Sequence, residues 1–237
     1  MSTAFVTGAT GYTGRAVVEQ LRKRGEHVVA HVRPDSPELA MWRERFAALG
    51  AEVDSTAWDD EDAFAEQLSD RGISHLFHLV GTTKKRAQAV GQSATESYEK
   101  VDYGLTALLV RAAARSRSDV QFTYLSSLGA SATSSNAYLR ARGKAEEAVR
   151  QGGMPWVIVR PSFISGPDRP EPRPLEQVGA KVSDALLGVA GALGLGTVRD
   201  RFHSIDAAHL AAVLVHLAYD PAAQRHTFEP PFTTPID

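Results

Sequence analysis

Three residues have the types and spacing to move a proton onto a carbonyl oxygen: Ser127, Tyr138 and Arg142. An apolar stretch ends in Tyr124-Leu125-Ser126-Ser127-Leu128-Gly129-Ala130, and a segment of helical period follows with Tyr138-Leu139-Arg140-Ala141-Arg142-Gly143-Lys144-Ala145-Glu146. A serine hydroxyl can donate to the carbonyl, a phenol can supply the proton, and a cation can favour the phenolate while gripping a ribose. The free phenol has a pKa of about 10, so without that cation the tyrosine is a poor base near neutrality. A helix turns by about 100° per residue, so the residue four on returns to within about 40° of Tyr138. Arg142 holds that position, where a lysine is the expected cation. Arginine brings charge, but it cannot shed a proton and its planar head packs differently. Lys144 lies about 240° around the helix from Tyr138 and is a poor substitute.

A second set of residues suits an anion. Thr7-Gly8-Ala9-Thr10-Gly11-Tyr12-Thr13-Gly14-Arg15 joins an apolar run to an amphipathic segment bearing Val17, Val18 and Leu21. Gly8 permits a tight turn, Gly11 admits a pyrophosphate close to the backbone, and Gly14 lets strand and helix pack closely. The amino end of the helix then offers unpaired N–H groups to the anion, with Thr10, Tyr12 and Thr13 around it. The glycines are spaced GxxGxxG rather than GxGxxG, so a slightly different turn is expected. About twenty residues on, where an NAD site places an acid on the ribose 2'-hydroxyl, stands Ala30-His31-Val32-Arg33-Pro34. It has no acid before Asp35, and the fork of Arg33 can grip a 2'-phosphate. NADP(H) is therefore the expected cofactor, ahead of NAD(H).

These groups need a scaffold that brings chain-distant turns to one edge. Apolar runs near 3–7, 27–32, 51–55, 74–80, 119–125 and 155–160 read as strands, alternating with helical segments near 12–24, 38–49, 60–71, 95–116 and 136–151. That alternation predicts an α/β fold, a Rossmann-type doubly wound parallel sheet with helices on both faces. After Arg160 five prolines between 161 and 174 break regular structure, and two apolar helices are expected near 175–193 and 206–219. The whole of 1–237 is expected to form one domain: a cofactor-binding core over about 1–160 and an extension over about 161–237 that lies across the carboxyl ends of the strands.

Composition bounds the classes. Charged residues are 23%, hydrophobic residues 43% and the net charge -2, which suggest neither disorder nor a basic face for nucleic acid. There is no cysteine, hence no disulfide framework or thiolate site. Residues 2–6 enter a strand at once, leaving no room for a secretory signal, so a cytoplasmic location is expected. The apolar segment from Val178 to Gly196 carries Lys181 and Asp184 and five glycines, which argues for a partly buried helix rather than a membrane span. It could close a substrate pocket or form a dimer seam, and monomer and homodimer both stay open. Eight histidines show no ligand spacing, so no metal site is expected. His75 and His78, three apart on a strand, should face opposite sides. Lys84-Lys85-Arg86 reads as a solvated loop. In Phe202-His203-Ser204-Ile205-Asp206-Ala207-Ala208-His209, Asp206 reads as an N-cap.

These motifs together resemble the atypical short-chain dehydrogenase/reductases, most of all the Tat-interacting oxidoreductase family. The matching stretches are Thr7 to Arg15, Leu79-Val80-Gly81-Thr82-Thr83-Lys84, Tyr124 to Ala130 with Ser134-Ser135-Asn136 and Tyr138, Gly143 to Glu146, and Arg160-Pro161. The resemblance implies that Leu79, Val80, Gly81 and Thr82 run along the cofactor, that Ser127 is the hydroxyl donor and Tyr138 the acid, and that Pro161 and Ser162 border the nicotinamide. It implies NADPH binding, with a role that is enzymatic or regulatory. Two positions depart from the pattern: Arg142 stands for lysine, and Ala57 for an aspartate near the adenine. Three functions remain open: an oxidoreductase acting on a small carbonyl or enoyl compound, an NADPH-binding sensor of weak catalysis, and an epimerase or isomerase that keeps its nicotinamide bound.

Overall fold

The computed structural model describes residues 2–89, 91–116, 119–162, 164–165 and 205–232. In chain order the elements are β1 (Thr3–Thr7), α1 (Tyr12–Lys23), β2 (His27–His31), α2 (Leu39–Ala48), β3 (Glu52–Asp54), α3 (Glu61–Asp70), β4 (His75–His78), α4 (Lys84–Ala89) and α5 (Ala94–Ser97). A π-helix (Tyr98–Gly104) runs on into α6 (Leu105–Arg115). Then come β5 (Gln121–Leu125), α7 (Ala137–Gln151), β6 (Trp156–Val159), β7 (Ile164–Ser165), β8 (Ile205–Asp206), α8 (Ala207–Ala218) and β9 (His226–Phe228).

Seven strands make one sheet in the order β3-β2-β1-β4-β5-β6-β9. Every pair is parallel, with Phe5 beside both Val29 and Leu76, and His78 beside Tyr124. The chain order reverses at β1, and β1 and β4 open a crevice at their carboxyl ends, the place where open α/β sheets bind ligands.

Both faces of the sheet are covered, which explains the unbroken apolar strands. Val17, Val18 and Leu21 of α1 and Leu210 and Leu214 of α8 pack on Val6, Val28, Phe77 and Val157. On the other side Phe64 and Leu68 of α3, Leu109 of α6 and Val149 of α7 pack on Phe5, Val29, Leu76, Phe122 and Ile158. Neighbours such as Phe5 and Val6 thus serve opposite cores, as the strand period of two requires. His75 stacks on Tyr219 on one side, while His78 lies against Tyr124 and Phe122 on the other.

The six strands and the helices expected up to residue 151 are present, with ends within two residues of the expected ones. In the tail the helix expected near 206–219 is present as α8 (Ala207–Ala218); it packs beside α1, and β9 extends the sheet next to β6, so these two lie along the sheet rather than over the strand ends, while β8 pairs with β7. Leu210, Ala211, Val213, Leu214 and Val215 are all buried, a hydrophobic load that only a sheet face can absorb. Asp206 caps α8 by accepting from His209 N at 2.8 Å. The helix expected near 175–193, and residues 202–204, lie outside the described residues. Lys84-Lys85-Arg86 is a correction too: these residues open the short helix α4, with Ala87 buried beneath and the three cations exposed.

Candidate cofactor and proton-transfer site

β1 delivers Thr7 into a turn in which Gly11 N–H donates to Gly8 O at 3.0 Å. Gly8 sits at φ +74°, and a Cβ there would stand 2.9 Å from the carbonyl carbon and oxygen of Leu79. A Cβ on Gly14 would stand 2.1 Å from Gly8 O. Turn, helix start and the Leu79-Val80 backbone are therefore pressed together, and side chains at these glycines would fill the space. No side chain caps α1 and no acid stands in its first turn, while Arg22 and Lys23 lie at its far end. Such a helix start presents bare amides and a positive dipole end, which suits a diphosphate. Thr10 and Tyr12 are half-buried at the rim and Thr13 is buried. Tyr12 Oη donates to Ser165 O at 3.2 Å, tying the cradle to β7. Arg33, past the end of β2, is exposed and pairs with Asp35 at 3.2 Å.

The turn after β4 is tied inward. Leu79 N–H donates to Thr7 O, and the buried Thr82 donates its N–H to Asp102 Oδ2 at 3.2 Å. Asp102 belongs to the π-helix, a form often found at functional sites. Its carboxylate, fully buried, meets Arg142 Nη2 at 2.9 Å. Arg142 Nη1 also donates to Tyr124 Oη at 3.0 Å and to Leu125 O at 2.9 Å. The spacing of four does bring Arg142 to Tyr138, with Cζ 5.5 Å from the ring centroid. Its guanidinium, however, is buried between helix and sheet rather than turned outward as a ribose grip requires. Burial works against its charge, but the facing Tyr124, Tyr138 and Asp102 hold it protonated well above its ordinary value. Burial likewise pushes the Tyr124 phenol up to about 12, against the pull of Arg142. Lys144, on another face of α7, pairs with Glu99 at 2.9 Å.

A polar chain continues below. Thr106 Oγ1 donates to Asp102 O at 2.7 Å and lies 2.9 Å from His78 Nε2, whose Nδ1 is 2.7 Å from Thr7 Oγ1. Burial, helped by Arg142 and His31, drives His78 down to about 3. Neutral imidazole fits these partners: Nε2–H donates to Thr106 and Nδ1 accepts from Thr7.

Ser127 opens a turn in which Ala130 N–H donates to its carbonyl. Leu128 N–H donates to Pro161 O, and Ser131 N–H to Leu139 O, so the loop is stitched to both the end of β6 and α7. Asn136 Oδ1 caps α7 by accepting from Tyr138 N and Leu139 N. The Tyr138 ring stands edge-to-face with Tyr98 at 5.3 Å. Behind the loop, Glu146 is buried and accepts from Ser126 Oγ (2.5 Å), Arg160 (2.6 and 2.8 Å) and Arg150 (2.8 Å). Arg160 reaches on to Ala130 O and Glu229, fixing the backbone that leads to Pro161 and the half-buried Ser162.

The expected residues follow the carboxyl ends of β1, β2, β4, β5 and β6, except Tyr138 and Arg142, which lie on α7. Asp102 and His78 were not singled out, and Glu146 and Arg160 only as parts of matching stretches, because most of their partners lie 14 to 71 positions away along the chain. The one signal was Arg142 itself, a cation between Ala141 and Ala145 on a helix face that must turn inward. Among the described residues, no three His, Cys, Asp or Glu side chains are grouped to hold a metal, and no helix is long and apolar enough to cross a membrane.

A family model described as NAD(P)H-binding matches residues 8–186. Protein fmp52-1, mitochondrial, of Aspergillus terreus is 33% identical over 201 residues, 83% of this chain and 79% of that one. A ceramide reductase of Caulobacter vibrioides is 30% identical over 176 residues, 74% of this chain and 50% of that protein. Among solved structures, ChuY, an anaerobillin reductase of Escherichia coli O157:H7, superposes with a TM-score of 0.63 at 16% identity, over 98% of this chain and 100% of that one. That likeness is one of fold.

Proposed function

The chain belongs to the NAD(P)H-binding family, and on that premise we propose that it is an NADP(H)-dependent oxidoreductase of the atypical short-chain type, acting on a small carbonyl or enoyl compound. The observation that carries this reading is the glycine turn: an uncapped helix start pressed against the strand-end backbone, ready for a dinucleotide diphosphate. The name of the ceramide reductase relative supports reduction as the direction.

Bound nicotinamide supplies the hydride. The residues of this chain do the rest. The first-turn amides of α1 hold the diphosphate, and exposed Arg33 takes the 2'-phosphate, exchanging Asp35 for it. Ser127 Oγ–H would donate to the substrate oxygen, and Tyr138 would give that oxygen its proton, the phenolate left behind being reprotonated by solvent. Pro161 and Ser162 would border the nicotinamide.

The test has two parts. Titration of NADPH and NADH into wild type and Arg33→Ala should show an NADPH preference that the mutation removes; equal affinity in wild type would end the NADP assignment. NADPH absorbance is then followed with a panel of aldehydes, ketones and quinones. Tyr138→Phe should slow consumption by about 100-fold or more, the usual scale for a lost general acid. Consumption that ignores the mutation would remove Tyr138 from the mechanism.

A second reading has its own observation. The cation beneath Tyr138 is held in the interior by Asp102, which favours a protein that binds NADPH and turns over slowly, as a sensor would. Tight NADPH binding with no consumption across the panel would support it.

A further inference from the structure

Asp102 sits where three parts of the site meet. Its Oδ2 accepts from Thr82 N–H in the turn after β4, and its Oδ1 pairs with Arg142. Its carbonyl accepts from Thr106, which continues through His78 to Thr7 at the mouth of the glycine turn. Arg142 lies across the face of the Tyr138 ring, with Cζ 5.5 Å from its centroid. A Cβ on Gly81 would stand 2.1 Å from Arg142 Nη2 and 3.2 Å from Asp102 Oδ1, so the loop backbone rests directly on the ion pair.

We propose that Asp102 is a positioning residue for the proton donor: it holds Arg142 over the Tyr138 ring, binds the Gly81-Thr82 turn against the same pair, and cancels the cation that would otherwise favour the phenolate. The proposal rests on the oxidoreductase reading for its purpose, but not for its geometry. A free cation four residues after a tyrosine stabilises the phenolate, whereas a cation with a carboxylate at 2.9 Å presents little net charge to the ring. The pair then offers the ionised phenol less stabilisation than a lone cation would.

The other charged and titratable groups on the elements around α7 are few. Besides Asp102 the π-helix carries Tyr98, Glu99, Lys100 and Tyr103; Glu99 pairs with Lys144 of α7 itself, whose Nζ also lies over the Tyr103 ring. β5 brings Tyr124 and β4 brings His78, which burial keeps neutral. On α6, Arg111 and Arg115 are exposed and paired with Glu61 and Asp62, and at the end of β6 Arg160 is paired with Glu146 and Glu229. Asp102 and Arg142 are the buried ion pair that lies against the Tyr138 ring.

The experiment is a spectroscopic titration of phenolate absorbance, in which Tyr138 is isolated by subtracting the matched Tyr138→Phe protein. Asp102→Asn leaves Arg142 uncompensated, and the Tyr138 midpoint should move to lower pH. Arg142→Gln leaves Asp102 uncompensated, and the midpoint should move to higher pH. The double variant Asp102→Leu with Arg142→Met removes both charges of the pair and keeps much of the volume filled, and it should titrate close to wild type. Opposite shifts in the singles, or in whichever single folds, with the double near wild type, support the proposal. Shifts of the same sign, no shift, or a double variant displaced as far as Asp102→Asn would overturn it and leave Asp102 a purely structural residue. NADPH affinity is measured on the same samples. A wild type that binds no NADPH would defeat the oxidoreductase reading while the titration still decides the role of Asp102.

Discussion

Gly14 shows how little freedom the cradle leaves a single residue. Its absent Cβ would overlap Gly8 O, an atom held by the turn and unable to retreat, because Gly8 in turn is backed by Leu79. Gly14→Ala must therefore shift α1 away from β1, and α1 carries Val17, Val18 and Leu21 into the core. A loss of about 2 kcal/mol or more is expected, of the kind that overpacking causes, together with at least a tenfold loss of NADPH affinity. Urea unfolding and fluorescence titration check both, and an alanine variant with wild-type affinity would mean that the turn is not the phosphate site. This role was legible in the sequence, since a glycine triplet between strand and helix has one economical explanation. The role of Arg142 was not. Its spacing gave the correct neighbour, Tyr138, but the direction of its guanidinium is set by Asp102, Tyr124 and Leu125 O, which only the tertiary fold assembles.

Elements were easier to read than contacts because each declares itself by period over several residues. The strands stand out as apolar runs covered on both faces, and the helices by their alternating stripes. What escaped was short or fixed from a distance. β9 has three residues, His226–Phe228, and becomes a strand by pairing with Val157 to Val159 rather than by propensity. The π-segment within 94–115 buries one residue, the charged Asp102, so no apolar stripe marks it in the sequence. For α7 the decisive element-scale device is its cap. Asn136 Oδ1 accepts from the amides of Tyr138 and Leu139, fixing the first turn on which the proton donor rides. Asn136→Ala should cost about 1 kcal/mol of stability and lower turnover more than NADPH affinity, because the cradle is on another helix. If affinity falls in step with turnover, the cap supports the whole crevice rather than Tyr138.

At the scale of the molecule, two buried histidines make folding sensitive to acid. His78 lies at the centre of the sheet, its ring between Thr7 and Thr106, and burial lowers its pKa from 6.5 to about 3. Burial also lowers His31, whose Nε2–H donates to Thr56 O among the rings of Phe5, Trp58 and Phe64. Both are lowered relative to the unfolded chain, so between about 6.5 and 3 the unfolded state takes up protons that the folded state refuses. Stability is therefore intact above pH 6.5 and falls as the pH drops below it. From the midpoint at 6.5, His78 alone should remove about 2 kcal/mol between pH 7 and pH 5, and His31 should add to this. The window stays above the ordinary carboxylate range, where Glu26 and Glu52 would contribute acid sensitivity of their own. Urea unfolding at pH 7, 6 and 5 measures the slope, and His78→Gln should flatten it by up to about 1.4 kcal/mol per pH unit whatever it costs at neutrality. A slope that survives the substitution undiminished would mean that His78 takes up its proton as readily in the folded protein as in the unfolded chain. The chain from Thr7 through His78 and Thr106 to Asp102 would then carry a charge, and the proton donor beside it would answer to pH through the sheet itself.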